Sequence, residues 1–119
     1  MEFQRILKPG GLLIVTTRPR EFILSCANFR QMENIPFFAT GGAASFQDTE
    51  QFLRDYDEGK YCFAGTGGGG VRDSSFYGET CIPKGYVVRQ WTNYFSFVEF
   101  LEHGIHKSFD QNVIIARKR

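Results

Sequence analysis

Apolar residues gather into short runs that predict strands near both ends of the chain. Leu12 to Val15 is an unbroken apolar run after two glycines. It is too short to span a bilayer, and it is typical of a strand covered on both faces. Asn112 to Arg117 has the same character, which predicts a second interior strand. Phe95 to Glu102 is rich in Phe and Val and carries two acidic residues, which predicts an edge strand.

A first helix is predicted directly after the Leu12 to Val15 strand. Pro19 fits the first turn of a helix that runs to about Gln31. Phe22, Cys26 and Phe29 then share one face of this helix, as the spacing of a buried stripe requires.

Two further helices are predicted, with a connecting segment before the first of them. Residues 35–46 mix Pro, Gly, Ala and three phenylalanines without clear periodicity, which predicts a loop or lid that packs locally. Asp48 opens the second helix with a capping-box-like Gln51 three residues on, and Gly59 ends it. Residues 83–92 are predicted to form the third helix, because proline fits its first turn.

Composition predicts one globular unit with a packed core. The 119 residues are 42% hydrophobic and 16% aromatic, which is ample for one core. Fourteen basic and thirteen acidic residues leave a formal charge of +1 without a block of like charges, so neither nucleic acid nor a membrane is an expected partner. Three widely spaced cysteines, Cys26, Cys62 and Cys81, argue for buried thiols in a reducing compartment. Without a targeting signal, a cytoplasmic location is expected.

Two patterns that suggest binding chemistry have simpler interpretations. The tract Gly65 to Gly70 neither follows a long buried strand nor ends in the Lys-Ser/Thr of a phosphate loop, which favours a flexible lid. His103 and His106 form H-x-x-H near Glu102 and Asp110, as a metal site requires, but two histidines in an exposed hairpin are more typically solvated. No metal is therefore predicted.

Several motifs resemble one enzyme family. The stretch from Arg5 to Arg18 reads RILKPGGLLIVTTR, and the chain ends in NVIIARKR. Together they resemble the part of class I S-adenosylmethionine-dependent methyltransferases that follows the cofactor site, where the fifth strand often follows a V/I-L-K-P-G-G turn. A looser similarity to some bacterial members lies between Gly69 and Trp91, where R-D-x-x-F-Y-G precedes P-x-x-Y-V and a tryptophan.

The resemblance implies a fold. The family has a Rossmann-like sheet of strand order 3-2-1-4-5-7-6, in which the seventh strand is antiparallel, and the predicted strands match 5-7-6. We therefore expect an α/β chain with a three-stranded mixed sheet, in which residues 11–17 and 112–118 pair antiparallel and residues 95–102 lie on the outer edge. The expected single partial domain, 1–119, comprises a strand at 11–17, a helical and loop insertion at 19–82, a helix at 83–92 and a terminal hairpin at 95–118.

The resemblance also implies a function for a larger enzyme. In a complete enzyme, a methyl group would pass from S-adenosylmethionine to a small molecule or another acceptor that the sequence does not identify. The family's acidic E/D-x-G-x-G turn is absent from this sequence. We therefore expect no cofactor binding by this chain alone and assign no catalytic residue. Its expected partners are a substrate, a complementary N-terminal half, or another copy that meets the open strand edge. The alternative is a non-catalytic α/β remnant or pairing subunit that docks through that edge.

Five residues are predicted to lie on the substrate side, because ligands of open α/β sheets bind beyond the carboxyl ends of the strands. Arg18 follows the central strand and has a planar fork suited to a carboxylate or phosphate, with Arg20 or Arg72 assisting. Thr17 lies beside it, and Tyr77 is predicted to close over the site and orient the nucleophile. The simpler interpretations are a solvated charge for Arg18 and a packing role for Tyr77.

Overall fold

The computed structural model describes residues 2–66, 71, 73, 75, 77–102 and 111–119. No helix in these ranges is long and apolar enough to cross a bilayer. In chain order, the elements are α1 (Glu2–Ile6), β1 (Leu12–Thr17), α2 (Arg20–Gln31), a 3-10 turn (Phe37–Ala39), α3 (Thr40–Ala43), α4 (Thr49–Asp57), β2 (Cys62–Gly65), β3 (Gly78–Cys81), α5 (Lys84–Trp91), β4 (Phe95–Leu101) and β5 (Asn112–Lys118).

The main sheet has the strand order β1-β5-β4. β5 runs antiparallel to both neighbours, so that Leu12 lies opposite Arg117 and Thr17 opposite Asn112. The predicted pairing of the two terminal strands is therefore confirmed, and so is the outer position of the strand that begins at Phe95. The predicted mixed sheet is wrong, because β5 separates the two strands that run in the same direction. Every hydrogen-bonded pair in the described sheet is antiparallel.

β1 is covered on one face only. Leu13 is 9% exposed, whereas Leu12 is 47% and Ile14 62% exposed. The prediction of a strand covered on both faces is therefore wrong in the described structure. An apolar run identifies residues that favour burial, but the layers that pack against each face decide which of them are buried.

The covered face of this sheet meets α5. Val87 and Trp91 of α5 are buried against it, and the rings of Trp91 and Phe95 lie 6.2 Å apart. We call the buried cluster the sheet core, which consists of Leu13, Val87, Trp91, Phe95, Ile114 and Ala116. We call the opposite side the bare face, and its exposed apolar residues are Leu12, Ile14, Phe97 and Leu101.

A second, two-stranded sheet lies within the segment between β1 and α5. β2 and β3 pair antiparallel, with Cys62 opposite Cys81. The sequence predicted this region only as part of the helical and loop insertion at 19–82 and did not predict β3. The two strands pack on α2 and α4 around a second cluster, the insertion core, which consists of Phe22, Ile23, Cys26, Phe46, Cys62, Ala64 and Cys81.

The predicted starts and ends of the insertion helices are confirmed. α2 begins after Pro19 and ends at Gln31. At the start of α4, the backbone N–H of Gln51 donates to the Asp48 carboxylate over 3.2 Å. Gly59 follows α4 with a φ of +76°, the left-handed conformation that a helix C-terminus favours.

Arg30 holds the segment between α2 and α4 against the insertion core. The sequence predicted this segment as a loop, but it contains the 3-10 turn and α3. Arg30 Nη1 donates to the carbonyl oxygens of Ala43 and Ser45 at 3.2 and 2.7 Å. Its Nη2 donates to the Phe46 carbonyl at 3.2 Å and to Thr49 Oγ1 at 3.1 Å. One guanidinium therefore satisfies several backbone carbonyls that regular secondary structure leaves unpaired.

Candidate functional site

The carboxyl end of β1 is bonded directly to β3. Thr17 Oγ1 donates to the Thr80 carbonyl and accepts from the Ile82 backbone N–H, each over 3.0 Å. The Arg18 backbone N–H also donates to the Thr80 carbonyl, over 2.9 Å. Thr17 is only 3% exposed, so this hydroxyl joins the two sheets.

Arg18 forms a partly buried ion pair at this junction. Its Nε lies 3.1 Å from Glu79 Oε2, and its Nη2 lies 3.4 Å from Glu79 Oε1. The guanidinium also lies over the Phe22 ring, 4.6 Å from the ring centroid. The two charged side chains are 22% and 34% exposed, so Arg18 is not a freely solvated charge. A stacked, bidentate arginine keeps a fixed orientation.

A cavity of about 270 Å³ opens beside this ion pair. Its polar end is the ion pair, and its apolar end consists of phenylalanine rings from α2 and the 3-10 turn. Gly42 allows α3 to approach this wall, since a Cβ at Gly42 would lie 2.7 Å from the Phe29 ring. The lining residues are Arg18, Phe22, Phe29, Phe38, Gly41, Gly42 and Glu79.

Thr17, Arg20 and Tyr77 are not among the described residues that line this cavity. Arg20 pairs with Asp57, with nitrogen to oxygen distances of 2.7 and 2.8 Å, and so ties α2 to α4. The Arg20 guanidinium holds the pKa of the Asp57 carboxyl below its ordinary value. Tyr77 bonds through its backbone to Thr66 and Asp73 at the loop end of the β2–β3 hairpin, and it is 42% exposed. Arg72 lies outside the described residues, so its predicted role stays a prediction.

Sequence reasoning missed the partner of Arg18. Glu79 lies 61 positions from Arg18, and only the bonding of β3 to the end of β1 brings the two together. The aromatic wall of the cavity was predictable in part, because the sequence placed Phe22 and Phe29 on one face of the predicted helix. Phe38 and the two glycines fell in the segment predicted as a loop, where no periodicity indicates which side chains face inward.

The three cysteines are buried in the insertion core and free of disulfides. Burial raises the pKa of the Cys26 and Cys62 thiols to about 11 and raises the pKa of Cys81 further in the same direction. These thiols therefore stay protonated near neutral pH, and the prediction of buried thiols is confirmed.

The described residues contain no group of three or more His, Cys, Asp or Glu side chains that would hold a metal ion. His103, His106 and Asp110 lie outside the described ranges. The interpretation of the H-x-x-H pattern as a solvated pair therefore stays a prediction.

No protein-family model, curated protein sequence or solved structure matches this chain. Its function must therefore be argued from its own residues and geometry. Two features carry that argument, namely the order of the main sheet and the cavity at the end of β1.

Proposed function

We propose that this chain forms the substrate-side, C-terminal part of a class I S-adenosylmethionine-dependent methyltransferase. The observation that carries the proposal is the strand order β1-β5-β4 with β5 antiparallel to both neighbours. This is the arrangement of strands 5, 7 and 6 in the family that the sequence resembles. The turn before β1 also fits, because Gly10 has a φ of +77° between Pro9 and Gly11.

The bare face supports the proposal that a further layer completes the sheet. Ile14 and Phe97 are 62% and 51% exposed there, although both sit in strands with apolar neighbours. Contiguous exposed apolar patches on a sheet mark surfaces that other elements cover. Sheets of the α/β class carry helices on both faces, and in the described structure only the opposite face has them.

The open edge of β1 supports the same proposal. Backbone groups of alternate residues in an edge strand point away from the sheet, and the Arg18 N–H points outward to Thr80. The backbone N–H and C=O groups of Leu12, Ile14 and Thr16 point outward in the same way, and no described residue forms a hydrogen bond with them. An uncharged edge of this kind is a template for another strand.

In this proposal, the methyl acceptor binds in the cavity beside Arg18, at the carboxyl end of β1, where α/β sheets bind ligands. The residues of this chain would orient the acceptor and exclude water from it. S-adenosylmethionine would supply an electrophilic methyl group. The sequence lacks the E/D-x-G-x-G turn, so the complementary part would have to hold the cofactor.

The coding sequence upstream of Met1 provides the test. We expect an in-frame extension that encodes a strand followed by E/D-x-G-x-G. By calorimetry, the joined polypeptide should bind S-adenosylmethionine with micromolar affinity, whereas the present chain alone should not. Micromolar binding by the present chain alone, or a joined polypeptide without binding, would contradict the proposal.

The joined enzyme also permits a matched test of the site. Arg18→Lys keeps the charge but loses the fork that holds Glu79, so kcat/KM should fall about tenfold. Arg20→Lys is the control, because Arg20 pairs with Asp57 outside the cavity lining. Equal effects of the two substitutions would remove Arg18 from the site.

The open edge also supports a second candidate function, a non-catalytic subunit that pairs through β1 with a second copy of itself. Two such edges are self-complementary when they meet antiparallel about a two-fold axis. Sedimentation should then show a dimer of the present chain. Thr16→Pro, which removes an outward N–H, should shift it to monomer. A monomer at high concentration would contradict this alternative.

A further inference from the structure

We propose that the cavity beside Arg18 binds a small aromatic molecule that carries a hydroxyl or amine group, and that Glu79 accepts the hydrogen bond from this group. As a binding site, the cavity can be tested without a cofactor. As an assignment of the methyl acceptor, the inference rests on the proposed function.

Size and lining of the cavity favour a single ring system. Its volume of about 270 Å³ is near the lower end of small-molecule sites. Phe22, Phe29 and Phe38 contribute the apolar wall. Phe38 is 70% exposed on the 3-10 turn, so a bound ring would bury apolar area that the described structure leaves in water.

The polar end of the cavity favours a hydrogen-bond donor over an acceptor. Arg18 directs its Nε and Nη2 donors to Glu79, one to each carboxylate oxygen. An ionised carboxylate has about four lone-pair sites, so each oxygen can accept a further bond. A ligand O–H or N–H can therefore bind to Glu79 without displacing Arg18.

An anionic ligand fits this end less well. A ligand carboxylate would approach the Glu79 carboxylate, and it would have to compete with Glu79 for Arg18. Like charges in a partly buried site repel one another strongly, because water screens them less there. The arrangement thus distinguishes a phenol or aromatic amine from an aromatic acid.

NMR titration of the ¹⁵N-labelled chain with 4-ethylphenol tests the assignment. We expect a dissociation constant on the order of 1 mM, with the largest shift changes at the amides of Gly41, Gly42 and Glu79. The matched ligand 4-ethylanisole keeps the ring but lacks the donor, and it should bind roughly tenfold more weakly. Equal affinities, or shift changes confined to other residues, would overturn the proposal.

A third ligand separates Glu79 from Arg18 as the recognition group. We expect 4-ethylbenzoate to bind more weakly than 4-ethylphenol. Tighter binding of the benzoate would overturn the proposal and identify Arg18 as an anion anchor. None of these titrations uses S-adenosylmethionine, so their failure would leave the proposed function to its own test.

Gly42 and Phe37 provide a matched pair of variants. Gly42→Ala places a Cβ 2.7 Å from the Phe29 ring of the cavity wall, which must then move. Phe37 is 96% exposed and is not among the lining residues. We expect 4-ethylphenol to bind at least fivefold more weakly to Gly42→Ala and about equally to Phe37→Ala, with folding verified from the amide spectrum. Unchanged binding by a folded Gly42→Ala variant would contradict the assignment.

Discussion

The two cores of this protein differ in how completely they are enclosed. The insertion core lies between α2, α4 and the β2–β3 hairpin, and Phe52, Leu53 and Tyr56 of α4 pack against it. The sheet core has α5 on one side, while the other side of the same sheet is the bare face. The insertion therefore has the cover of a small self-contained unit. The strands of the main sheet are apolar enough for a sheet that is covered on both faces. In the described structure, however, only one face is covered.

The largest expected effect tests how tightly the insertion core is enclosed. Phe46 is 1% exposed, with its ring 4.9 Å from that of Phe52 and 6.1 Å from that of Phe22. Phe46→Ala should lower the free energy of unfolding by about 3–5 kcal/mol. Phe37→Ala is the control, because Phe37 is 96% exposed and its loss should cost less than about 0.5 kcal/mol. Urea denaturation followed by circular dichroism measures both, and similar costs would contradict an enclosed core.

A second pair of variants compares the two faces of the main sheet. Ile114 is fully buried in the sheet core, and Ile14 is 62% exposed on the bare face. Ile114→Ala should cost about 2–5 kcal/mol of unfolding free energy, and Ile14→Ala less than about 0.5 kcal/mol. Denaturant unfolding at low protein concentration measures both. A large cost for Ile14→Ala would show that another surface covers the bare face in solution.

A third pair tests the junction between the two sheets. Thr17→Val removes the hydroxyl that accepts from the Ile82 N–H, leaving a partly buried donor unpaired, and should cost about 1–3 kcal/mol. Thr16→Val is the control, because Thr16 is exposed and no described residue bonds to its hydroxyl. Thermal unfolding compares the two variants. Equal changes in melting temperature would mean that the stability of the junction between the sheets does not depend on this hydrogen bond.

The smallest effect per residue concerns alkaline pH, because the buried thiols all lie in the insertion core. Burial raises the pKa of Cys26 from 9.0 to about 11, and that of Cys62 similarly. The folded state keeps these protons to higher pH than the unfolded state does. The contribution of the protonated thiols to the free energy of unfolding is therefore intact below pH 9. It falls as pH rises toward 11, by about 1 kcal/mol per thiol at pH 10.

Amide hydrogen exchange as a function of pH should locate that loss. After correction for the intrinsic pH dependence of exchange, protection should decline in α2 and β2 before it declines in β5. Cys26→Ala should flatten the pH dependence in α2. A uniform decline across both cores would contradict the assignment to the thiols.

Sequence reasoning located most elements, because their start and end signals are local. Pro19 and Asp48 mark helix starts, and Gly59 marks a helix end. The order of the main sheet was also predicted, since Glu99 in β4 and Glu102 just after it favour an edge and the apolar β5 favours the interior. β3 was not predicted, because its four residues, Gly78–Cys81, show no clear alternation of apolar and polar residues.

The candidate site was predictable only in part, because one side of it comes from a distant segment. Arg18 was placed correctly at the carboxyl end of β1, since strand ends follow from the apolar run. The ion pair of Arg18 with Glu79 could not be predicted. Glu79 lies in β3, and β3 itself was not predicted. Arg20 carries the same side chain two positions later, yet it pairs with Asp57 on another surface.

The bond from the Arg18 N–H to the Thr80 carbonyl limits how the β1 edge can be extended. A strand that joins this edge finds open backbone groups at Leu12, Ile14 and Thr16, and then meets β3 at Arg18. Because the Thr80 carbonyl already accepts from the Arg18 N–H, a new strand can pair with β1 only as far as Thr16. In the proposed enzyme, a polypeptide that completed the sheet would have to turn away at this point, and its next loop would begin beside the cavity.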